Sequence, residues 1–301
     1  MPEFSIQAPL RLFAPAKVNL GLEILGRRDD GFHEVLTLME TISLFDVIDI
    51  HPAASKSITS PAGIPDDDDL TARALDLLEQ ASGRRLCLRV TVEKSIPVSA
   101  GLGGGSSDAG TLIGAIGQLL GIPLDEQHDV ASKIGSDVPF FLTCGLALAS
   151  GTGTDTTLVP DSVRRWYVIA VPDLEIQGKT GTLYRSLQSN DFSDGSRTSQ
   201  LAHELSQGLA IDRSLVTNTF QRPLMTYSAF RETIEAFERA GSQVVVPSGA
   251  GPSVFSVFAT FGEAVQFAGR LNLPDGLFAT IASSIVSDPN QSRIDYLLSK
   301  S

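Results

Sequence analysis

Residues 94–121 read KSIPVSAGLGGGSSDAGTLIGAIGQLLG. A short β-like run, Leu88 to Val92, leads into them. Gly101, Gly103, Gly104 and Gly105 come first, then Ser106, Ser107 and Asp108, and after these an amphipathic helix is expected. Its apolar residues Ala109, Leu112, Ile113, Ile116, Leu119 and Leu120 follow the i, i+3, i+4, i+7 spacing of one helical face. Gly121 and Pro123 end it. Glycines let the backbone approach a ligand closely and take positive φ. The first-turn N–H groups of a helix have no internal partner and lie at the positive end of its dipole. A glycine run opening a helix is therefore a cradle for phosphate. The other reading is a plain cap with Ser106, Ser107 or Asp108 at the N-cap. A plain cap needs only one or two glycines, and this run costs chain entropy. Two common phosphate motifs do not fit. No lysine follows the glycines as a P-loop requires, and Ser106 stands at the third glycine of the dinucleotide fingerprint.

The chain has 301 residues, which suggests two domains or one large one and suffices for a substantial core. Its net charge of −12, from 23 basic and 35 acidic residues, argues against nucleic acid or an anionic membrane as a partner. Cys87 and Cys144 sit in apolar surroundings, with no metal-like spacing and no disulfide framework. The first residues, MPEFSIQAPLRLF, lack a basic region followed by an apolar run. No apolar run reaches the length of a membrane span, so a reducing cytoplasm is the expectation. The sequence does not indicate an oligomeric state.

Residues 10–25 read as a strand. Ala16, Val18, Leu20, Leu22 and Ile24 alternate with Lys17, Asn19, Gly21 and Glu23. Lys17 and Asn19 thus project from one side, either into a site or into solvent. GRRDDGFHE (26–34) is a polar turn, tightest at Asp30-Gly31. His33 follows it, beside the aromatic face of Phe32. Residues 52–69 are loop-like, and Asp66 to Asp69 read as an acidic lead into a helix at 70–83 rather than a metal site. Leu70, Ala74, Leu77, Leu78 and Ala81 are its expected inward face. Residues 125–135 form another short helix. In GSDVPFFL, Asp137 precedes Val138-Pro139. It is either a helix N-cap or a carboxylate held at a rigid turn, suited to general-base work. A strand pair follows around Gly151 and Gly153. From residue 160 the pattern is β–α–β–β–α–β, a split-βαβ arrangement, with a polar connection over 186–214. Its second glycine turn, Pro247 to Ser253, is longer than a hairpin needs. Both a plain loop and a ligand loop remain open there.

Three segments stand together in order: Ala14 to Leu20 (APAKVNL), Pro97 to Asp108, and Ser248 to Ser253. They resemble the GHMP kinases. Within that family, GRRDDGFHE, GLGGGSSDA and GSDVPFFL are similar to the branch whose alcohol substrate carries a cytidine diphosphate and serves non-mevalonate isoprenoid biosynthesis. The resemblance implies an α+β two-domain GHMP-kinase fold. An N-terminal α/β nucleotide domain would span 1–160 and a C-terminal split-βαβ (ferredoxin-like) domain 161–301, with the site in the cleft. It also implies ATP as phosphoryl donor, with Mg²⁺ carried by the ATP. Ser107 is a candidate ligand for that ion, although the sequence does not identify one.

By position, the resemblance makes Asp137 the catalytic base. Lys17 is its partner, holding it ionised or stabilising phosphoryl charge. Pro97, Val98, Ser99, Ala100, Gly101, Leu102, Gly103, Gly104, Gly105, Ser106 and Ser107 would form the ATP phosphate loop. Asn19 and His33 would meet the substrate, with His33 reading the cytosine edge. Phe32 and Tyr184 would stack on the base with Thr180 nearby, while Gly249, Gly251 and Ser253 would close the substrate side. The family usually has Tyr where Phe32 stands, Asn where Asp69 stands, and Asn-Asp where Asn218-Thr219 stands.

Overall fold

The computed structural model describes residues 1–59, 69–161, 163–274 and 276–286. In chain order, β1 (Glu3–Phe4), β2 (Leu10–Arg27), β3 (His33–Pro52) and β4 (Ser57–Thr59) precede helix α1 (Leu70–Ser82). β5 (Arg85–Leu86) and β6 (Leu88–Glu93) lead to α2 (Gly104–Leu120), α3 (Leu124–Ser132) and the single turn α4 (Phe140–Thr143). β7 (Leu146–Ser150) and β8 (Asp155–Leu158) form a hairpin, followed by β9 (Trp166–Val171), α5 (Lys179–Ser186), α6 (Ser196–Ser206), β10 (Thr217–Asn218) and α7 (Gln221–Leu224). α8 (Ser228–Arg239), β11 (Val246–Pro247), β12 (Val254–Phe258), α9 (Phe261–Ala268) and β13 (Phe278–Ser283) complete the order.

β2 and β3 pair antiparallel along nearly their whole length and carry the larger sheet, ordered β10-β2-β3-β6-β4, with β7 on the other part of β3 and β8 on β7. Their pairing slips between Pro15 and Ala16, Asn19 and Gly21, and Ile24 and Gly26. Such bulges bend and twist a strand, and a proline that cannot donate to the ladder is at home beside one. The bend lets β2 serve three cores in succession. Ala14 packs with α1 and α2. Ala16, Val18 and Leu20 pack with β9 and β12. Leu22 and Ile24 pack with α5, α7 and α8. With both faces covered, Lys17 and Asn19 are buried, each 2% exposed. The solvated alternative for this strand face is therefore not the outcome.

The smaller sheet is antiparallel, in the order β11-β12-β9-β13. With α8 and α9 as the connecting helices, it is the split-βαβ arrangement expected from the sequence. The two sheets are joined by a buried ionic cluster. Arg165 donates through Nε and Nη2 to the Glu40 carboxylate on β3, and through Nη2 to Asp161, while the Tyr167 hydroxyl donates to Glu40.

Several local expectations change. α2 begins at Gly104, not after Asp108. Its N-cap is Gly103, at φ 75° with no side-chain cap bond, and Ser107 N–H already donates to Gly103 O at 2.8 Å. The helix gains five residues, Gly104 to Asp108, because glycine alone takes that left-handed cap without strain. On α1 the buried stripe is Thr71, Ala74, Leu75 and Leu78. Ala81 is exposed, because contact with α2 selects the stripe. Asp69 caps this helix, accepting from Thr71 N–H at 2.9 Å. Asp66 to Asp68 lie outside the described residues. The polar 186–214 connection contains α6, whose buried side is Thr198, Leu201, Ala202 and Leu205. Glu23 on β2 accepts from its Thr198 N–H. A Cβ on Gly21 would lie 2.5 Å from Thr198 Oγ1, so a bare strand position lets α6 lie down.

Candidate active site

Two glycine turns meet at β2. Lys17 N–H donates to Leu102 O at 2.9 Å and Ser253 N–H to Ala100 O at 3.0 Å. The Ser248 hydroxyl donates to Gly101 O at 2.9 Å. Gly101 has φ 84°, and a Cβ there would stand 2.2 Å from Ser248 O. Glycine at 101 is thus a packing requirement between the turns as well as a conformational one. Beneath the first turn, the Lys94 ammonium donates to Asp46 and to Asp108, the latter at 2.7 Å. Asp46 accepts from Ser95 N–H at 2.7 Å and Ile96 N–H at 2.8 Å. Burial pushes the Asp108 carboxyl up to about 7, aided by Asp46 and opposed by Lys94. This cluster, which the sequence reading missed, fixes the base of the loop.

A cavity of about 610 Å³ opens over these turns. The first turn lines it from Pro97 to Ser106 except at Leu102, which packs into the core, and Ser107 just beyond is fully buried. Lys17 and Asp137 both line it. Lys17 Nζ donates to Asn19 Oδ1 at 2.6 Å and stands 3.4 Å from Asp137 Oδ2. Asn19 in turn donates to Thr37 Oγ1 at 2.8 Å, and Thr37 to Gly21 O at 2.8 Å. This chain leaves the lysine little rotational freedom. Asp137 caps no helix, since Pro139 holds the N-cap position of α4. Its side chain is 34% exposed, toward the cavity.

Farther along, Thr180, Tyr184 and Phe220 form a wall. Tyr184 and His33 lie ring on ring, centroids 4.8 Å apart and tilted 35°, with Phe192 edge-on to His33 at 6.1 Å. Burial pushes the Tyr184 phenol up to about 12, with the Asp137 charge adding to it. Burial also lowers the His33 imidazole, with Arg27 second. His33 Nε2 is buried without a partner. His33 opens strand β3 rather than sitting in the loop. Phe32 is 65% exposed, and neither it nor His33 lines the cavity, which Tyr184 reaches. Gly249 lines it at φ 53°, where a Cβ would stand 3.0 Å from Lys17 Nζ. Gly251 and Ser253 lie behind, and Ser253 Oγ is buried without a partner. Thr37, Thr152 and Lys179 also line the cavity. No local sequence pattern marked them, because they come from three separate elements.

Chemically, this is a fixed ammonium beside a carboxylate, edged by a helix start with free N–H groups. That set suits transfer of an anionic group to a hydroxyl. The described residues hold no group of three or more His, Cys, Asp or Glu side chains able to bind a metal. No described helix is long and apolar enough to cross a membrane.

Residues 69–145 match the model of the GHMP kinases N terminal domain. The 4-diphosphocytidyl-2-C-methyl-D-erythritol kinase of Dehalococcoides mccartyi strain 195 is 34% identical over 257 residues, covering 82% of this chain and 89% of that protein. The enzyme of the same name from Geobacter sp. strain M21 is 33% identical over 285 residues, covering 92% and 99%. The chain belongs to the 4-diphosphocytidyl-2-C-methyl-D-erythritol kinase family. The crystal structure of a 4-(cytidine 5′-diphospho)-2C-methyl-D-erythritol kinase superposes with a TM-score of 0.77 at 30% identity, covering 91% of this chain and 99% of that one. As a member of this kinase family, the chain is a GHMP-type small-molecule kinase with ATP as phosphoryl donor.

Proposed function

We propose that this kinase transfers the terminal phosphoryl group of ATP to the 2-hydroxyl of 4-diphosphocytidyl-2-C-methyl-D-erythritol, giving the 2-phosphate and ADP in non-mevalonate isoprenoid biosynthesis. The observation that carries the reading is Asp137 at 3.4 Å from Lys17 Nζ, both lining the cavity edged by the glycine turn. In this reading ATP lays its phosphates in the turn from Pro97 to Ser107, on the unpaired N–H groups at the start of α2. Asp137 accepts the proton of the substrate hydroxyl. Lys17, oriented by Asn19, offers its charge to the phosphoryl oxygens as they pass. Phosphoryl transfer asks mainly for such positioning and charge neutralisation.

The cytosine belongs at the His33–Tyr184 end. The buried, unpartnered Nε2 of His33 gives a ring nitrogen to meet a base edge, and Tyr184 gives an aromatic face. Thr180 and Asn19 would contact the substrate, and Gly249 would close over it, with Gly251 and Ser253 backing the turn from behind. A division into residues 1–160 and 161–301 would put the nucleotide turn in one unit and the Tyr184 wall in the other.

Mg²⁺ would enter with ATP. The Ser107 hydroxyl, fully buried and without a hydrogen-bond partner, is an oxygen donor of the kind that ion takes. Bound there, the ion would supply neutralisation of phosphate charge.

The test is ADP release by the purified protein with ATP and Mg²⁺, offered 4-diphosphocytidyl-methylerythritol, mevalonate, homoserine and galactose in parallel. Release with the cytidyl alcohol alone supports the proposal. Release only with another alcohol keeps the kinase site and removes the cytosine reading.

A further inference from the structure

Lys179 is the first residue of α5, directly after Gly178 at the N-cap. A cation at that end of a helix opposes the dipole. It is half-buried and lines the cavity. Burial pulls its ammonium down to about 8, and the charge of Lys17 adds to that pull. Lys17 and Lys94 each face a carboxylate, whereas Lys179 forms no salt bridge among the described residues. Its ammonium donates instead to the backbone carbonyls of Ser99 and Gly251. An ammonium has three hydrogens to give, and these two acceptors leave one over. Ser99 belongs to the first glycine turn and Gly251 to the second, so the amine sits on the seam where they meet. Ser99 holds φ 54° without being glycine, a strained backbone that presents its carbonyl to this lysine.

The dipole, burial and a neighbouring cation all disfavour a charge at this place. An anion between Lys17 and Lys179 would reverse the balance. Building on the kinase reading above, we propose that Lys179 is a phosphate-binding residue of this active site, its ammonium pairing with a phosphate oxygen where the ATP turn meets the substrate-side turn. The oxygen belongs to the terminal phosphates of ATP or to the diphosphate of the cytidyl substrate. A residue that merely clipped the two turns together would affect every ligand alike.

Calorimetric titration of the full chain with ATP, adenosine, CDP and cytidine, without turnover, separates these cases. Losing one charge-assisted bond should weaken ATP or CDP by about tenfold or more in Lys179→Met. Adenosine and cytidine should bind as before, and Lys179→Arg should recover most of the loss. The nucleotide that weakens identifies the source of the phosphate. Lys179→Gln keeps a donor for the two carbonyls without the charge, and replaces the Met variant if that one does not fold. Equal effects on nucleoside and nucleotide, or none on either nucleotide, overturn the proposal. Should the wild type bind neither CDP nor cytidine, the cytidyl reading falls. The ATP and adenosine pair still decides the role of Lys179.

Discussion

The Lys17 ammonium and the Asp137 carboxylate stand 3.4 Å apart, one from a buried strand and the other from a turn before a single-turn helix. Asn19 fixes the lysine from one side, and the glycine turn lies against it from the other. If Asp137 is the base, Asp137→Asn keeps the shape and loses the proton acceptor. Turnover should fall by about 10²–10⁴-fold, the range of one general base, with ATP affinity unchanged by titration. Near-normal turnover would remove Asp137 from that role.

His33→Ala deletes a ring that covers one face of Tyr184 and a nitrogen with no protein partner. Binding of the cytidyl substrate should weaken by about tenfold or more, the worth of one buried hydrogen bond with its stacking. ATP should bind as before. Matching losses for both ligands would mean the variant is misfolded rather than blind to the base.

Gly249→Ala tests how closely the second turn approaches the lysine. Its φ of 53° and the 3.0 Å gap from a built Cβ to Lys17 Nζ predict about 1–2 kcal/mol of destabilisation from the left-handed backbone, together with reduced turnover. Gly276→Ala is the control, since it has φ 84° and nothing within 4 Å. It should lose stability alone. Unaltered turnover in Gly249→Ala would show that the turn can yield without moving the lysine.

Arg165→Met leaves Glu40 buried against Tyr167 with its cation gone, at a cost of about 3–5 kcal/mol in denaturant unfolding. Adding Glu40→Leu should recover part of this, because the more deeply buried of the two carboxylates paired with Arg165 goes with it while Asp161 stays. The pH dependence has a definite sign. Burial raises the Glu40 carboxyl above its ordinary 4.5, against the pull of Arg165. A raised acid contributes stability below its unfolded value and loses it as pH climbs through the folded value. Without Arg165 that folded value lies higher still. The gap between wild type and Arg165→Met should therefore be widest near neutral pH and close on acidification toward 4.5. A gap independent of pH would show that Glu40 is not the group left uncompensated.

The nucleotide turn, the helix behind it, the long β2 strand and the split-βαβ order were legible because each is a local pattern. Glycines before an apolar 3.6-residue period, alternation along a strand, and glycine or proline stops need no knowledge of distant residues. Helix α6 was hidden because its polar sequence is helical only where Glu23 and the bare Gly21 position receive it. The start of α2 was misplaced for a related reason. Glycine has low intrinsic helix preference, yet here the left-handed cap at Gly103 and the contact of Lys94 with Asp108 set the first turn.

By itself, the sequence determined the glycine turns, the Lys17–Asn19 strand face, the Asp137 turn and, by likeness, the kinase family. Only the tertiary structure decided that β2 bends at its bulges and lies buried on both faces. It also decided that Asp137 meets Lys17 rather than capping a helix, that His33 rests on Tyr184 while Phe32 points outward, and that Lys179 bridges the two glycine turns. Those relations join residues far apart in the chain. Their energies come from burial and charge, and neither exists until the sheets close on each other.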